Sequence, residues 1–186
     1  LVACADPSDP VVTARAVFHR GPVEALAFSN WGERLASLGK EDGRLFFQSV
    51  GSGGRSKPLG FLDLAGEGEV LAMAWIKHGA PGGGGLPNGG LVLSCASGDL
   101  LLVGAPALDA RGTGPAGLQL STEHCPTRRM SVAVPVASLA FGSGMSEGVL
   151  FSLGMDGMAR RFPGLGVPEA TSAQPRTRPS WRHALA

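Results

Sequence analysis

The chain has 186 residues, of which 44% are hydrophobic and 17% are charged, and it contains 29 glycines and 14 prolines. Many turn-forming residues between short apolar runs favour a globular, all-β protein over a helical one. The formal net charge of +1 excludes a general electrostatic attraction to nucleic acid or to an anionic membrane, because both attractions need concentrated positive charge.

The first part of the chain predicts a short strand and then a three-strand unit. Residues 11–18 are apolar and β-branched, and we interpret residues 1–18 as the outer strand of a preceding sheet. We assign residues 19–67 to the first unit, whose last predicted strand is 59–64. Its other parts are two apolar runs, a turn and a third strand: PVEALAFS at 22–29, RLASLG at 34–39, Asp42-Gly43 and RLFF at 44–47.

Two further units repeat this plan. We assign residues 68–134 to the second unit and residues 135–162 to the third. The second contains a glycine-rich insert at 79–90 and room for an outer strand around 118–121. Residues 163–186 are expected to be a Pro- and Arg-rich linker or tail. The repeated segments are EVLAMAW (69–75), LVLSCA (91–96), Ser97-Gly98 and DLLLV (99–103), then PVASLAF (135–141), GVLFSLG (148–154), Asp156-Gly157 and MARRF (158–162).

The first unit, HRGPVEALAFSNWGERLASLGKEDGRLFF, resembles a WD40 repeat. It has that family's spacing from a loop His, through two apolar strands, to an Asp-Gly turn. The resemblance implies an all-β fold of WD40-like β-propeller blades, in which Val23, Leu26 and Phe28 pack between neighbouring blades. About three blades form only a partial propeller, since closed propellers have about four to eight. The remaining blades are expected in the parent chain or in a partner.

In that family, a His, a strand Ser or Thr, a turn Asp and a Trp form a hydrogen-bonded network within one blade. By position, His19, Ser37 and Asp42 correspond to the first three, whereas Gln48 stands at the Trp position. Asp156 occupies the turn position of the third unit. The resemblance implies a structural role for these residues.

The sequence motifs that would indicate catalysis, metal binding or phosphate binding are incomplete. His19 has no neighbouring GxSxG motif or carboxylate pair, so a hydrogen bond within the blade is favoured over general-base catalysis. His124 and Cys125 are adjacent but lack the spacing of a zinc site. The glycines at 82–85 lack the Lys-Ser/Thr of a phosphate-binding loop. We therefore expect no enzyme, no catalytic residue, no metal site and no cofactor.

Tryptophans and arginines are the candidate partner contacts. Trp75 ends an apolar strand and is expected in the core, whereas Trp31 lies in a polar turn and is a candidate contact. Trp181, Arg178 and Arg182 lie in the tail, which is interpreted as a solvated linker, with a short anchor or a weak contact to an anionic surface as alternatives.

Cysteine content and targeting signals bear on the compartment. Cys4, Cys95 and Cys125 are odd in number and far apart, which favours reduced thiols in the cytoplasm over a disulfide framework. No apolar run approaches the roughly 20 residues that span a bilayer. Residues 1–10 lack a starting Met and the pattern of a signal peptide. We expect a cytoplasmic piece of a longer protein that contacts no membrane.

The degenerate repeats with long inserts are similar to those of the cilia- and flagella-associated WD-repeat proteins of the axoneme. That resemblance implies a non-catalytic scaffold for protein–protein interactions in a large cytoskeletal complex of the cytoplasm, cilium or flagellum. The alternatives are a β-propeller enzyme, which needs acidic or His residues at the channel mouth, and a purely structural fragment of a larger protein.

Overall fold

The chain is an all-β protein in the part that its computed structural model describes. No helix in that part is long and apolar enough to cross a membrane. The described residues are 2–3, 11–12, 17–29, 32–51, 56–76, 86, 88–108, 119–142 and 149–163. The strands are β1 (Val2–Ala3), β2 (Val11–Val12), β3 (Val23–Phe28), β4 (Arg34–Gly39), β5 (Arg44–Val50), β6 (Ser56–Asp63), β7 (Val70–Ile76), β8 (Gly90–Cys95), β9 (Asp99–Gly104), β10 (Thr127–Ser131), β11 (Val136–Phe141), β12 (Val149–Gly154) and β13 (Ala159–Pro163).

Three antiparallel sheets follow one another along the described chain. The first sheet has the order β3-β4-β5-β6, the second β7-β8-β9-β10 and the third β11-β12-β13, while β1 and β2 form a separate ribbon. The same hairpin turn recurs in each sheet, and its glycines Gly43, Gly98 and Gly157 have φ angles of 58°, 84° and 75°. Glycine adopts these left-handed angles without steric cost, which explains why it repeats at this turn. The predicted all-β plan of about three units is confirmed.

The sheets stack face to face, with β3 and β11 both lying against β7. One apolar cluster lies between the first and second sheets and another between the second and third. The Phe47 and Trp75 rings form a T-shaped pair across the first junction, with centroids 6.4 Å apart. Every residue of β8 is buried, because the second sheet is covered on both faces. This double burial accounts for its nearly continuous apolar sequence.

The two end sheets have one covered face and one open face. Within the described ranges, the large apolar side chains with high exposure all belong to the first or third sheet or to their adjoining segments. Val23, Leu26 and Phe28, which the sequence pattern places between blades, are 48%, 62% and 49% exposed because no described sheet covers them. The others are Val17, Phe151, Leu153, Met155 and Met158.

The outer strand of the second sheet differs from the sequence prediction. It is β10, which pairs with β9, and the predicted strand around residues 118–121 is wrong. Of those residues, Gln119 forms an isolated parallel bridge with Phe61, and Leu120 is buried in the first cluster. Leu120 therefore anchors the connection to the core and does not extend the sheet.

The N-terminal strand prediction is only partly covered by the structure. Val11–Val12 pairs with Val2–Ala3, and residues 17–19 contain no strand. Residues 13–16 lie outside the described residues, so the assignment of 1–18 to a preceding outer strand stays a prediction. The unit boundaries also stay predictions, and the tail beyond Pro163 lies outside the described residues.

Packing between the sheets predicts very different effects for one substitution at two leucines. Leu93 is fully buried in the first cluster, so Leu93→Ala should lower the free energy of unfolding by about 2–5 kcal/mol. Leu26 is 62% exposed, so Leu26→Ala should change it by less than about 0.5 kcal/mol. Urea unfolding of both variants measures the two values. Equal losses of unfolding free energy in the two variants would contradict the burial of Leu93 between sheets and the exposure of Leu26.

Candidate functional site

Three side chains from separate parts of the first sheet meet in one hydrogen-bonded network. The Nε2 atom of His19 lies 2.9 Å from the Oγ of Ser37 on β4. The Nδ1 atom lies 3.3 Å from the Oδ1 of Asp42 in the β4–β5 turn. His19 and Ser37 are only 9% and 3% exposed. The network therefore connects the segment before β3 to the middle of the sheet and to its hairpin turn.

The Asp42 carboxylate is the charged member of this network. It accepts the backbone N–H of Arg44 at 3.1 Å and that of Arg20 at 3.3 Å. Burial alone would raise the pKa of Asp42, but these two backbone donors and the His19 ring outweigh burial and hold the pKa below its ordinary value. The ionised carboxylate thus stabilises both the turn and the imidazole ring.

Close packing around the ring holds it in place. A Cβ atom at Gly39 would collide with His19 Nδ1 and Asp42 Oδ1, so the network closes only over a glycine. The His19 and Phe46 rings form a T-shaped pair with centroids 4.9 Å apart. Gln48, at the fourth position of the network, is 5% exposed. The ring is consequently packed against Gly39, Asp42 and Phe46 of its own sheet.

Ser, His and Asp are also the residue types of a nucleophilic catalytic triad. A nucleophile must reach its substrate, but the hydroxyl of Ser37 belongs to a side chain that is 3% exposed inside the sheet. Asp42 lies in a tight turn and is held by two backbone donors. The three side chains therefore form a hydrogen-bonded network that connects parts of one sheet.

The third sheet lacks an equivalent network among its described residues. Asp156 forms an ion pair with Arg160 and accepts the backbone N–H of Met158 at 3.1 Å. The Arg160 guanidinium lowers the pKa of Asp156 to about 2. Ser152, at the strand position of Ser37, is 4% exposed, and its hydroxyl has no hydrogen-bond partner in the described chain. Asp156 therefore stabilises its own turn and connects it to Arg160 on β13.

A second structured feature is a polar turn in the connection from β9 to β10, which we call the 121–124 tip. Its ends are anchored by Leu120 and Cys125, which are 5% and 0% exposed. The backbone N–H of Leu120 donates to the carbonyl of Phe61 at 2.7 Å, and that of Cys125 donates to the carbonyl of Ser121 at 2.9 Å. Residues 121–124 between these anchors are exposed.

The 121–124 tip was missed by sequence reasoning, although a signal is present. Four polar residues, STEH, stand between the two apolar residues that anchor them. In the structure the Nδ1 of His124 lies 2.9 Å from the Oγ of Ser121, so a local hydrogen bond joins the first and last side chains of the tip. The tip is a polar surface held on a fixed backbone.

Metal and thiol chemistry find little support in the described residues. They contain no group of three or more His, Cys, Asp or Glu side chains that could hold a metal. Cys95 and Cys125 are unpaired and buried. Burial raises the pKa of the Cys125 thiol to about 12 and also raises that of Cys95, so their reactive thiolate forms are disfavoured.

The candidate partner contacts and the predicted core tryptophan have different outcomes. Trp31, Trp181, Arg178 and Arg182 all lie outside the described residues. Trp75 is 7% exposed and belongs to the first apolar cluster, so its predicted place in the core is confirmed.

The network predicts a selective loss of stability. In His19→Ala the buried Ser37 hydroxyl loses its partner and Phe46 loses an aromatic contact, so the free energy of unfolding should fall by about 1–3 kcal/mol. His124→Ala removes an exposed imidazole with one local bond and should cost less than about 0.5 kcal/mol. Chemical denaturation compares the two. A His19 variant as stable as the His124 variant would show that the network contributes nothing.

Comparisons with known proteins identify the fold of the chain. No protein-family model and no curated protein matches the sequence. Among solved structures, the BBS1N chain of its complex with ARL6DN is similar, with a TM-score of 0.51 and 13% identity over 83% of this chain and 40% of that one. Sqt1 of Chaetomium thermophilum, bound to the N-terminus of ribosomal protein L10, gives a TM-score of 0.47 and 22% identity over 87% of this chain and 52% of that one.

The chain spans about half or less of the length of these two proteins. At 13% identity, the similarity to BBS1N concerns the fold alone. Together with the three stacked antiparallel sheets, it shows that the described part of the chain consists of β-propeller blades.

Proposed function

We propose that the chain is a non-catalytic scaffold whose blades present loops to other proteins within a larger assembly. The observation that carries this proposal is the 121–124 tip. Its backbone is bound to the first blade through Phe61 and to the core through Leu120 and Cys125, while its polar side chains face solvent. Binding residues commonly lie on loops that a rigid framework positions. Such a tip loses little conformational entropy when a partner binds.

The buried network supports a non-catalytic role. His19, Ser37 and Asp42 have the residue types of a triad, but their polar atoms bind one another and the backbone inside the sheet. A β-propeller enzyme is the alternative, and it would need reactive groups that open to the channel.

The similarity to BBS1N supports protein partners. That protein was crystallised in complex with ARL6DN, another protein. By analogy we propose partners of the same class, other proteins, for this chain. We further propose that the assembly is a cytoskeletal complex of the cytoplasm, and specifically of the axoneme of a cilium or flagellum. The support for this location is the resemblance of the repeats to those of axonemal WD-repeat proteins.

Affinity capture with the 186-residue chain as bait tests the scaffold. Extracts of ciliated cells, washed at low and at high salt, should yield a stable set of cytoskeletal or motor subunits identified by mass spectrometry. Thr122→Ala combined with Glu123→Ala should lower capture of those subunits at least about tenfold, because it removes the polar contacts of the tip. Trp31→Ala and the pair Arg178→Ala and Arg182→Ala test the contacts predicted from sequence in the same way.

Glu69→Ala is the matched control, since Glu69 is an exposed carboxylate away from the tip. It should leave capture unchanged, and circular dichroism should report the same fold for all variants. Capture that no variant alters would mean that partners bind neither the tip nor the contacts predicted from sequence, and failure to capture any subunit would favour a purely structural fragment. Turnover of a small substrate by the purified chain would favour the enzyme alternative.

A further inference from the structure

The end of β10 carries a sequence of the kind that arginine-directed serine kinases recognise. Residues 128–132 read Arg-Arg-Met-Ser-Val. Kinases of this class bind their substrates through acidic side chains that pair with arginines two and three residues before the serine, and through an apolar pocket for the residue after it. Arg128, Arg129 and Val132 stand at these three positions around Ser131. The pattern Arg-Arg-x-Ser occurs once in the chain.

The fold presents this segment at the protein surface. The strand β10 lies at the edge of the second sheet, where it pairs with β9. Its residues are exposed except for Met130, which packs against the second apolar cluster. A kinase binds its substrate as an extended segment, and β10 is already extended. Ser131 is the last residue of this edge strand, and the end of an edge strand separates from its neighbour at low cost. The Ser131 hydroxyl is therefore accessible to a kinase.

Another serine with a preceding arginine shows what the fold contributes. Arg34 lies three residues before Ser37, which is a weaker form of the same pattern. Ser37, however, is 3% exposed on β4, and its Oγ lies 2.9 Å from the Nε2 of His19. The fold thus withholds Ser37 from a kinase and leaves Ser131 accessible.

The surroundings of Ser131 are charged and would respond to a phosphate. Ser131 lies directly opposite Asp99 on β9, and it shares one side of β10 with Arg129 because side chains alternate along a strand. The Arg129 guanidinium forms ion pairs with Asp99 at 3.4 Å and with Glu67, which lies in the connection from β6 to β7. A phosphoserine carries a charge of about −1.5 to −2 at pH 7. It would lie about 7 Å along the strand from Arg129, which is within reach of the guanidinium. Its charge attracts Arg129 more strongly than the single charge of Glu67 does.

We propose that Ser131 is the substrate of an arginine-directed serine kinase, and that its phosphate takes Arg129 from Glu67. In this reaction the Oγ of Ser131 forms a bond to the γ-phosphorus of ATP while the bond to the β–γ bridging oxygen breaks. ADP leaves, and the hydroxyl proton goes to a base of the kinase. Because Glu67 belongs to the segment that joins the first blade to the second, loss of its ion pair loosens that segment. The modification leaves the apolar clusters between the blades unchanged.

Phosphorylation of the folded 186-residue chain tests the site. The chain is incubated with ATP, Mg²⁺ and the catalytic subunit of cyclic-AMP-dependent protein kinase, an arginine-directed enzyme, and tandem mass spectrometry locates the phosphate. We expect phosphate on Ser131 and none on Ser37. A folded chain in which Ser131 stays unmodified would overturn the proposal.

An arginine variant tests whether the kinase reads the pattern. Arg128→Ala removes one of the two arginines and should lower the initial rate of Ser131 phosphorylation at least about tenfold. Arg128 is chosen because Arg129 also holds Glu67. Arg161→Ala is the matched control, since Arg161 is an exposed arginine on β13, and it should leave the rate unchanged. Equal rates for the two variants would contradict recognition through the arginines.

Hydrogen exchange tests the transfer of Arg129. In the phosphorylated chain the backbone amides of residues 66–68 should exchange about two- to fivefold faster than in the unmodified chain, the range expected for loss of one exposed ion pair. The variant Glu67→Ala already lacks this ion pair, so phosphorylation of Ser131 should not accelerate its exchange further. Unchanged exchange in the phosphorylated chain would overturn the transfer, and so would an equal acceleration in the Glu67→Ala variant.

Discussion

The packing of one sheet face on the next is the interaction on which this structure depends. Fully burying a large apolar side chain contributes about 1.5–3 kcal/mol, whereas a single hydrogen bond contributes about 1 kcal/mol. The second sheet gains this burial on both faces, which is why residues such as Leu91 and Leu93 are completely covered. The end sheets gain it on one face each. The apolar clusters between neighbouring sheets therefore contribute most to the stability of the fold.

The His19 network has a different task, because it acts within one sheet. It fixes the segment before β3 against the sheet, and this position brings Phe18 onto Phe46. The outer half of that face is thereby closed by the chain itself, while Leu26 on the inner strand stays exposed. The charged Asp42 stabilises the turn and the ring through backbone and side-chain hydrogen bonds, without using the apolar surface. The polar network thus lies beside the aromatic contacts that cover the outer half of this face.

Features of this fold that depend on neighbouring residues can be predicted from the sequence. Features that depend on contacts between distant segments cannot. The Gly43, Gly98 and Gly157 turns are predictable because each depends on the conformation of a few residues. The strand β10 was misplaced because its sequence, TRRMS, is mostly polar, and only Met130 is packed toward the core. Exposure of Val23 could not be predicted, since burial at that position depends on whether another sheet lies beside it.

A double-mutant cycle between Phe47 and Trp75 tests the stacking of sheets most directly, because these rings meet across the first junction. Phe47→Leu, Trp75→Leu and the double variant would be compared by urea unfolding. The structure predicts a coupling free energy of about 0.5–1.5 kcal/mol between the two positions. Phe47→Leu combined with Leu150→Val, at the second junction, should be additive. Additive effects for the Phe47–Trp75 pair would contradict the face-to-face stacking of the first two blades.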